Sequence, residues 1–234
     1  MQQKRHNRQQ LKTIIISTIP VMTGYIVLGT AFGILLADKG YSVWWALLMS
    51  TTIFAGSMQF VSVDLLSGGA TLVSAAIMTL LVNARHLVYG ISMLNKYRSI
   101  GKAKPYLIFS LTDETYALLC GGIPEGVDEK RYYLLVSALD QFYWIAGSVL
   151  GALIGGALTM DTTGIDFAMT ALFVVIFVEQ WLTEKDHYPA LLGLGISLFC
   201  LVIWGAERFL IPAMVLIVLV LSVRELIRNM REAA

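Results

Sequence analysis

Eight runs of this 234-residue chain are free or nearly free of charge. Most of them, as helices, reach the ~20 residues needed to cross a hydrocarbon core. They cover 13–37, 43–63, 65–94 (interrupted by Arg85), 105–123 (interrupted by Asp113 and Glu114), 132–160 (interrupted by Asp140), 167–182 (ending in Glu179 and Gln180), 188–206 and 209–223. In lipid every backbone polar group must be satisfied internally, so only helices and closed barrels span. The short alternating stretches of a barrel are absent. The expected fold is therefore all-α, a polytopic transmembrane helical bundle forming a single integral membrane domain over 1–234. Composition agrees, with 57% hydrophobic and 14% charged residues, against about 25% charged in soluble domains. A soluble fold of this size would strand too much apolar surface.

Other classes fall away on the same grounds. A net charge of +1 gives no electrostatic footprint for nucleic acid. Cys120 and Cys200 each stand alone in apolar sequence, without metal spacing or a disulfide framework, and read as small buried hydrophobes. The basic N-terminus, with Lys4, Arg5, Arg8 and Lys12, is like the start of a signal peptide, but the apolar run behind it is too long for one. It reads as an uncleaved first span. There is no Walker A loop, zinc motif or serine nucleophile elbow, so the chain is expected to be neither an ATPase nor a hydrolase, with no metal and no cofactor.

Several runs look broken. The first holds Pro20, Gly24, Gly29 and Gly33, and the fifth Gly147, Gly151, Gly155 and Gly156. Small residues at four-residue spacing let helices approach closely, so the fifth set reads as packing. Gly56 and Gly68 read instead as helix breaks, because Ser57, Gln59 and Asp64 add polar groups beside them. Non-helical backbone at membrane depth is tolerated where it lines a cavity.

Loop charges orient the bundle. If all eight runs cross with the N-terminus inside, ten basic residues fall inside and six outside; if the second and sixth fold back, twelve fall inside and four outside. The positive-inside rule favours the second arrangement, with both termini cytoplasmic. A faint repeat agrees with it. Gln59-Phe60 closes the second run as Gln180-Trp181 closes the sixth, and both the first and fifth runs are glycine-ribbed. Halves at 13–124 and 132–224 would then be inverted copies with broken or re-entrant helices, a common plan of secondary transporters.

A centred charge in a membrane helix costs roughly 2.5 to 3.5 kcal/mol or more, so such residues mark ion, proton or substrate pathways. The candidates here are Gln59, Asn83, Arg85, Asp113, Glu114, Asp140, Glu179 and Gln180. Arg85 must find an anion or snorkel to the interface, and Asp113, Glu114 and Asp140 all remain open as partners. Asp113 and Glu114 point ~100° apart on a helix, so one is expected to hold the counter-charge while the other titrates. His86 reads as a packing residue. Trp44, Trp45, Trp144, Trp181 and Trp204, with Tyr25, Tyr41, Tyr132 and Tyr133, read as an interfacial belt.

Four motifs then align with a known family. Phe54-Ala-Gly-Ser-Met-Gln-Phe60, Asn83-Ala-Arg-His-Leu-Val-Tyr-Gly90, Thr112-Asp-Glu-Thr-Tyr116 and Asp140-Gln-Phe-Tyr-Trp144, followed by glycines, resemble the AzlC family, the large subunit of bacterial branched-chain amino acid exporters. The resemblance runs over nearly the whole chain. It implies export of valine, leucine or isoleucine, and of methionine in some members. The driving force would be an ion gradient, such as protons, rather than ATP. It implies a small hydrophobic AzlD-type membrane subunit as partner, and a multi-pass location in the bacterial inner membrane. A zwitterionic substrate needs an anion for its ammonium, which Asp113, Glu114 or Asp140 supplies. It needs donors for its carboxylate, which helix N-termini near Gly56 or Gly68 supply together with Asn83 or Arg85. One methylene in an apolar pocket is worth only ~1 to 3 kcal/mol, so selectivity among aliphatic side chains is expected to be modest. Two other classes stay open on the residues alone. One is a membrane-embedded enzyme using Asp113 and Glu114 as acid and base, which lacks a nucleophile or metal; the other is a passive channel or scaffold subunit, which would tolerate neutral replacement of those carboxyls.

Overall fold

A computed structural model describes residues 2–98, 100–157, 166–183, 185–205 and 209–232. Among the described residues the regular structure is helical, with no strand. In chain order the helices are α1 (Gln2–Asp38), α2 (Val43–Thr52), α3 (Gly56–Ser67), α4 (Leu72–Val82), α5 (Ala84–Met93), a 3-10 turn (Gly101–Ala103), α6 (Lys104–Phe109), α7 (Asp113–Cys120), α8 (Glu129–Ala157), α9 (Asp166–Thr183), α10 (Tyr188–Trp204) and α11 (Leu210–Glu232). They form two compact units, Met1–Ala75 with Val82–Met169, and Ala76–Leu81 with Thr170–Ala234.

The first unit is built on α1 and α8, which pack along one another. Both are long and apolar enough to cross a membrane. In α1 the inward face is Ile14, Thr18, Val21, Tyr25, Phe32 and Leu36, while Ile15, Ile16, Ile19 and Val27 face outward. Lipid is as apolar as the interior, so hydrophobicity alone does not separate the two faces. Glycine sets the spacing of the pair. A β-carbon at Gly29 would lie 3.0 Å from the Ser148 amide, one at Gly147 2.8 Å from the Tyr25 carbonyl, and one at Gly151 2.7 Å from the Thr30 Cα. The expected packing role of the fifth run's glycines holds at Gly147, Gly151 and Gly155; Gly156 meets nothing.

Between these two helices in sequence lie short, interrupted ones. The run 105–123, read from sequence as one crossing, is broken at Ser110–Thr112 between α6 and α7. Thr112 is extended, and its hydroxyl accepts from the Thr115 amide at 3.2 Å. Such an N-cap starts a new helix, and Asp113 and Glu114 in the first turn complement its dipole. The run 43–63 is broken between α2 and α3, where Phe54 adopts φ +41°. A bulky residue in the left-handed region costs about 1 to 2 kcal/mol. The Tyr25 and Phe109 rings hold Phe54 there, each with its centroid 6.4 Å away. Asn83 breaks α4 from α5 with a 45° bend, and together those two helices are apolar enough for one bent span.

In the second unit α10 packs on α11. Arg224 reaches Asp186 at 2.8 Å and covers the Tyr188 ring at 4.2 Å. Two sequence readings need correction. Cys200 is buried as expected, but Cys120 is exposed at the end of α7. Trp144, Tyr25, Tyr132 and Tyr133 form no exposed belt; each is at most 3% exposed, Trp144 and Tyr25 packed in the cluster with Phe32 and Phe60 and the other two in the cluster with Tyr97 and Leu107.

Candidate functional site

The polar residues of the first unit gather at the helix breaks, in two adjoining networks. The first is ionic. Arg85, in the first turn of α5, sets Nη2 2.9 Å from Asp113 Oδ2, with both side chains about a quarter exposed (27% and 28%). The same Nη2 donates to Ser57 Oγ in the first turn of α3 at 2.9 Å. Tyr89, one turn along α5, donates to Asp113 Oδ1 at 2.7 Å, and its ring stacks on Tyr116 at 4.3 Å. One carboxylate thus accepts from a guanidinium and a phenol, a charge-assisted arrangement that fixes both partners. Arg85 Nε and Asn83 Oδ1 are buried there without a hydrogen-bond partner among the described residues.

The second network runs deeper. Glu114 turns away from Asp113, as helical geometry requires, and accepts from the Tyr25 hydroxyl at 2.8 Å. Tyr25 Oη also lies within hydrogen-bonding reach of Thr112 Oγ1, where either hydroxyl can turn to donate. Thr112 donates to Thr115 Oγ1 at 3.0 Å, and Thr115 donates to Asp140 Oδ2 at 2.8 Å. Asp140, Thr115 and Gln59 are fully buried. Asp140 Oδ1 has no partner among the described residues.

Each expected residue has its place. Arg85 pairs with Asp113, one of the three carboxyls the sequence left open, and Glu114 and Asp140 belong to the hydroxyl network. Gln59 accepts from Trp144 Nε1 at 2.7 Å and donates to Ser50 at 3.1 Å, tying α3 to α8 and α2. Gly56 opens α3 beside the break; a β-carbon there would meet the Trp144 ring at 3.0 Å, so its lack of a side chain admits the indole. Gly68 ends α3 with φ −82° and makes no hydrogen bond to either network. Glu179 and Gln180 lie in α9, and their side chains fall outside the described residues. His86 stacks edgewise on Tyr89 at 5.7 Å.

Sequence reasoning places Tyr25 in the belt and Ser57 only beside a helix break, and it names no role for Tyr89, Thr112 or Thr115. For the threonines a signal existed, since Thr-x-x before an apolar run is an N-cap pattern. For Tyr25 the signal was its position inside the first apolar run rather than at its edge.

A protein-family model described as AzlC protein matches residues 20–158, a stretch that contains both networks. The branched-chain amino acid transport protein AzlC of Bacillus subtilis is 47% identical over 207 residues, covering 88% of this chain and 82% of that protein. An uncharacterized membrane protein of Haemophilus influenzae is 40% identical over 95% of this chain and 93% of its own length. The inner membrane protein YgaZ of Escherichia coli is 25% identical over 85% of this chain and 82% of its own. No solved structure matches the chain.

Proposed function

The chain belongs to the AzlC family, and from that premise we propose that it is a secondary active exporter of branched-chain and related apolar amino acids. Valine, leucine, isoleucine and methionine are the substrates, and a proton gradient is the driving force. It works in the bacterial inner membrane with a small AzlD-type subunit, with both termini cytoplasmic, and is not an enzyme. The observation that carries this reading is the Arg85–Asp113 pair of 2.9 Å, seated at helix breaks within an apolar bundle. A zwitterion carries both charges of that pair in reverse. Its carboxylate suits Arg85, whose Nε–H is unmet, and the free amides at the start of α3; its ammonium suits Asp113 and the unmet Asn83 Oδ1. Support for the membrane setting comes from the apolar length of α1 and α8 and from relatives named as membrane proteins.

The single-domain reading and the halves 13–124 and 132–224 belong to this proposal. Each half opens on a long, glycine-ribbed helix, α1 in one and α8 in the other, as related halves would.

Dipeptide loading tests the function. Cells fed a leucine- or valine-containing dipeptide should accumulate more free amino acid when the genes for this chain and its small partner are deleted. Restoring both should return efflux, whereas restoring the pair with Asp113→Asn should leave efflux at least tenfold lower. Efflux from the deletion strain equal to that of the parent would refute the reading.

A further inference from the structure

The hydroxyl network has a property that substrate binding does not need. It is an unbroken single file of five oxygen-bearing side chains, Glu114, Tyr25, Thr112, Thr115 and Asp140, with a carboxyl at each end and only hydroxyls between. A hydroxyl carries one proton and can turn it to either neighbour, so with one of the two carboxyls protonated the four links hold four protons, and the file stays fully hydrogen-bonded when every donor is reversed. Its two ends differ in access. Glu114 is partly exposed, whereas Thr115 and Asp140 are fully buried and Tyr25 and Thr112 nearly so. Asp140 makes no ion pair among the described residues, so no fixed cation holds it permanently ionised.

We infer that this file is the proton path of the transporter, carrying one proton between Glu114 at the accessible end and Asp140 at the sealed end. The inference rests on the transport reading above and names the groups that couple it to the gradient. The step balances without any co-reactant. A protonated Asp140 gives its proton to Thr115 Oγ1, Thr115 gives its own to Thr112, Thr112 to Tyr25, and Tyr25 to the Glu114 carboxylate. Asp140 ends ionised, Glu114 ends neutral, and each hydroxyl keeps one proton, now pointing the other way. The titratable and charged groups facing the path are few. Asp140 faces Tyr25 on α1, Glu114 on α7 and Tyr106 on α6, and Glu114 faces Tyr25, Asp113 and Arg85. Carboxyl-bearing relays of this kind are a recurrent use of ionisable groups inside membranes. The adjoining Arg85–Asp113 pair lets a bound zwitterion act on Glu114, because Asp113 and Glu114 share one helical turn.

The test uses the chain with its small partner in proteoliposomes holding a pH-sensitive dye. Two rates are read, leucine counterflow without any gradient and leucine-dependent proton flux. Thr115→Val removes one hydroxyl at nearly constant shape, and Tyr25→Phe cuts the same file at another link. Both should lower the ratio of proton flux to counterflow at least tenfold, and Thr115→Ser should restore it. If either cut leaves the ratio within twofold of wild type, or if Thr115→Ser fails to restore it, the path is overturned while transport stands. Absence of counterflow in the wild-type complex would overturn the transport reading, and the path with it.

Discussion

Replacing Gly151 by alanine should separate α1 from α8, whereas the same replacement at Gly24 should not. A β-carbon at Gly151 would lie 2.7 Å from both Cα and C of Thr30, while one at Gly24 meets nothing within 4 Å. Ordinary carbon contacts are about 3.5 to 4.0 Å, so the two backbones must part by about 1 Å. The obstacle is backbone, which cannot rotate out of the way as a side chain would. Overpacking of this kind costs about 1 to 3 kcal/mol, and a backbone clash belongs at the upper end. Gly24→Ala gains about 0.5 to 1 kcal/mol from helix propensity. The two variants should therefore differ by about 2 to 4 kcal/mol in opposite directions from wild type. Equilibrium unfolding in mixed micelles, followed by circular dichroism as the denaturing detergent fraction rises, measures this. A Gly151→Ala protein as stable as Gly24→Ala would refute the backbone-contact reading of the seam.

Two further outcomes follow from contacts described above. Trp144→Phe strips the donor from buried Gln59 Oε1 and should destabilise by about 1 to 3 kcal/mol beyond the lost volume; adding Gln59→Leu should recover part of the loss in thermal melts, and a double variant no better than the single one would show that the bond is not the cause. Asp186 is held below the usual carboxylate range by the Tyr188 amide, and then by Arg224. A carboxyl so depressed stabilises the fold above its unfolded pKa of about 3.9, and loses that contribution as pH falls through its folded value. Asp186→Asn should therefore lower the melting temperature slightly at neutral pH, with the gap closing below about pH 4; a gap constant down to acid pH would count against it.

The long pillars were legible because length and glycine spacing are local properties, and α1 and α8 express both. The polar inventory was legible too, since charge in an apolar run is conspicuous, and Arg85 with Asp113 is among the pairings that charge logic allows. What local reading lacked was choice of partner. Nothing near Tyr25 in sequence says that its hydroxyl meets residues 87 and 89 positions away. The break expected at Gly56 is present, with α3 opening on that residue, but the left-handed residue is Phe54 two positions earlier. Glycine is the usual residue at φ > 0, but there ring packing from α1 and α6 forces a phenylalanine into that conformation. The break before Asp113 was written in the cap residue Thr112 and was hidden by the surrounding apolar count. Trp144 reads with the belt of tryptophans, and only its ring contacts with Tyr25 and Phe32 of α1 reveal it as part of the core.

Backbones that nearly touch at Gly29, Gly147 and Gly151 leave no room there for even one added methyl group between the two pillars. They act as one unit, and the α1–α8 seam cannot admit a solute at those levels without the two backbones parting.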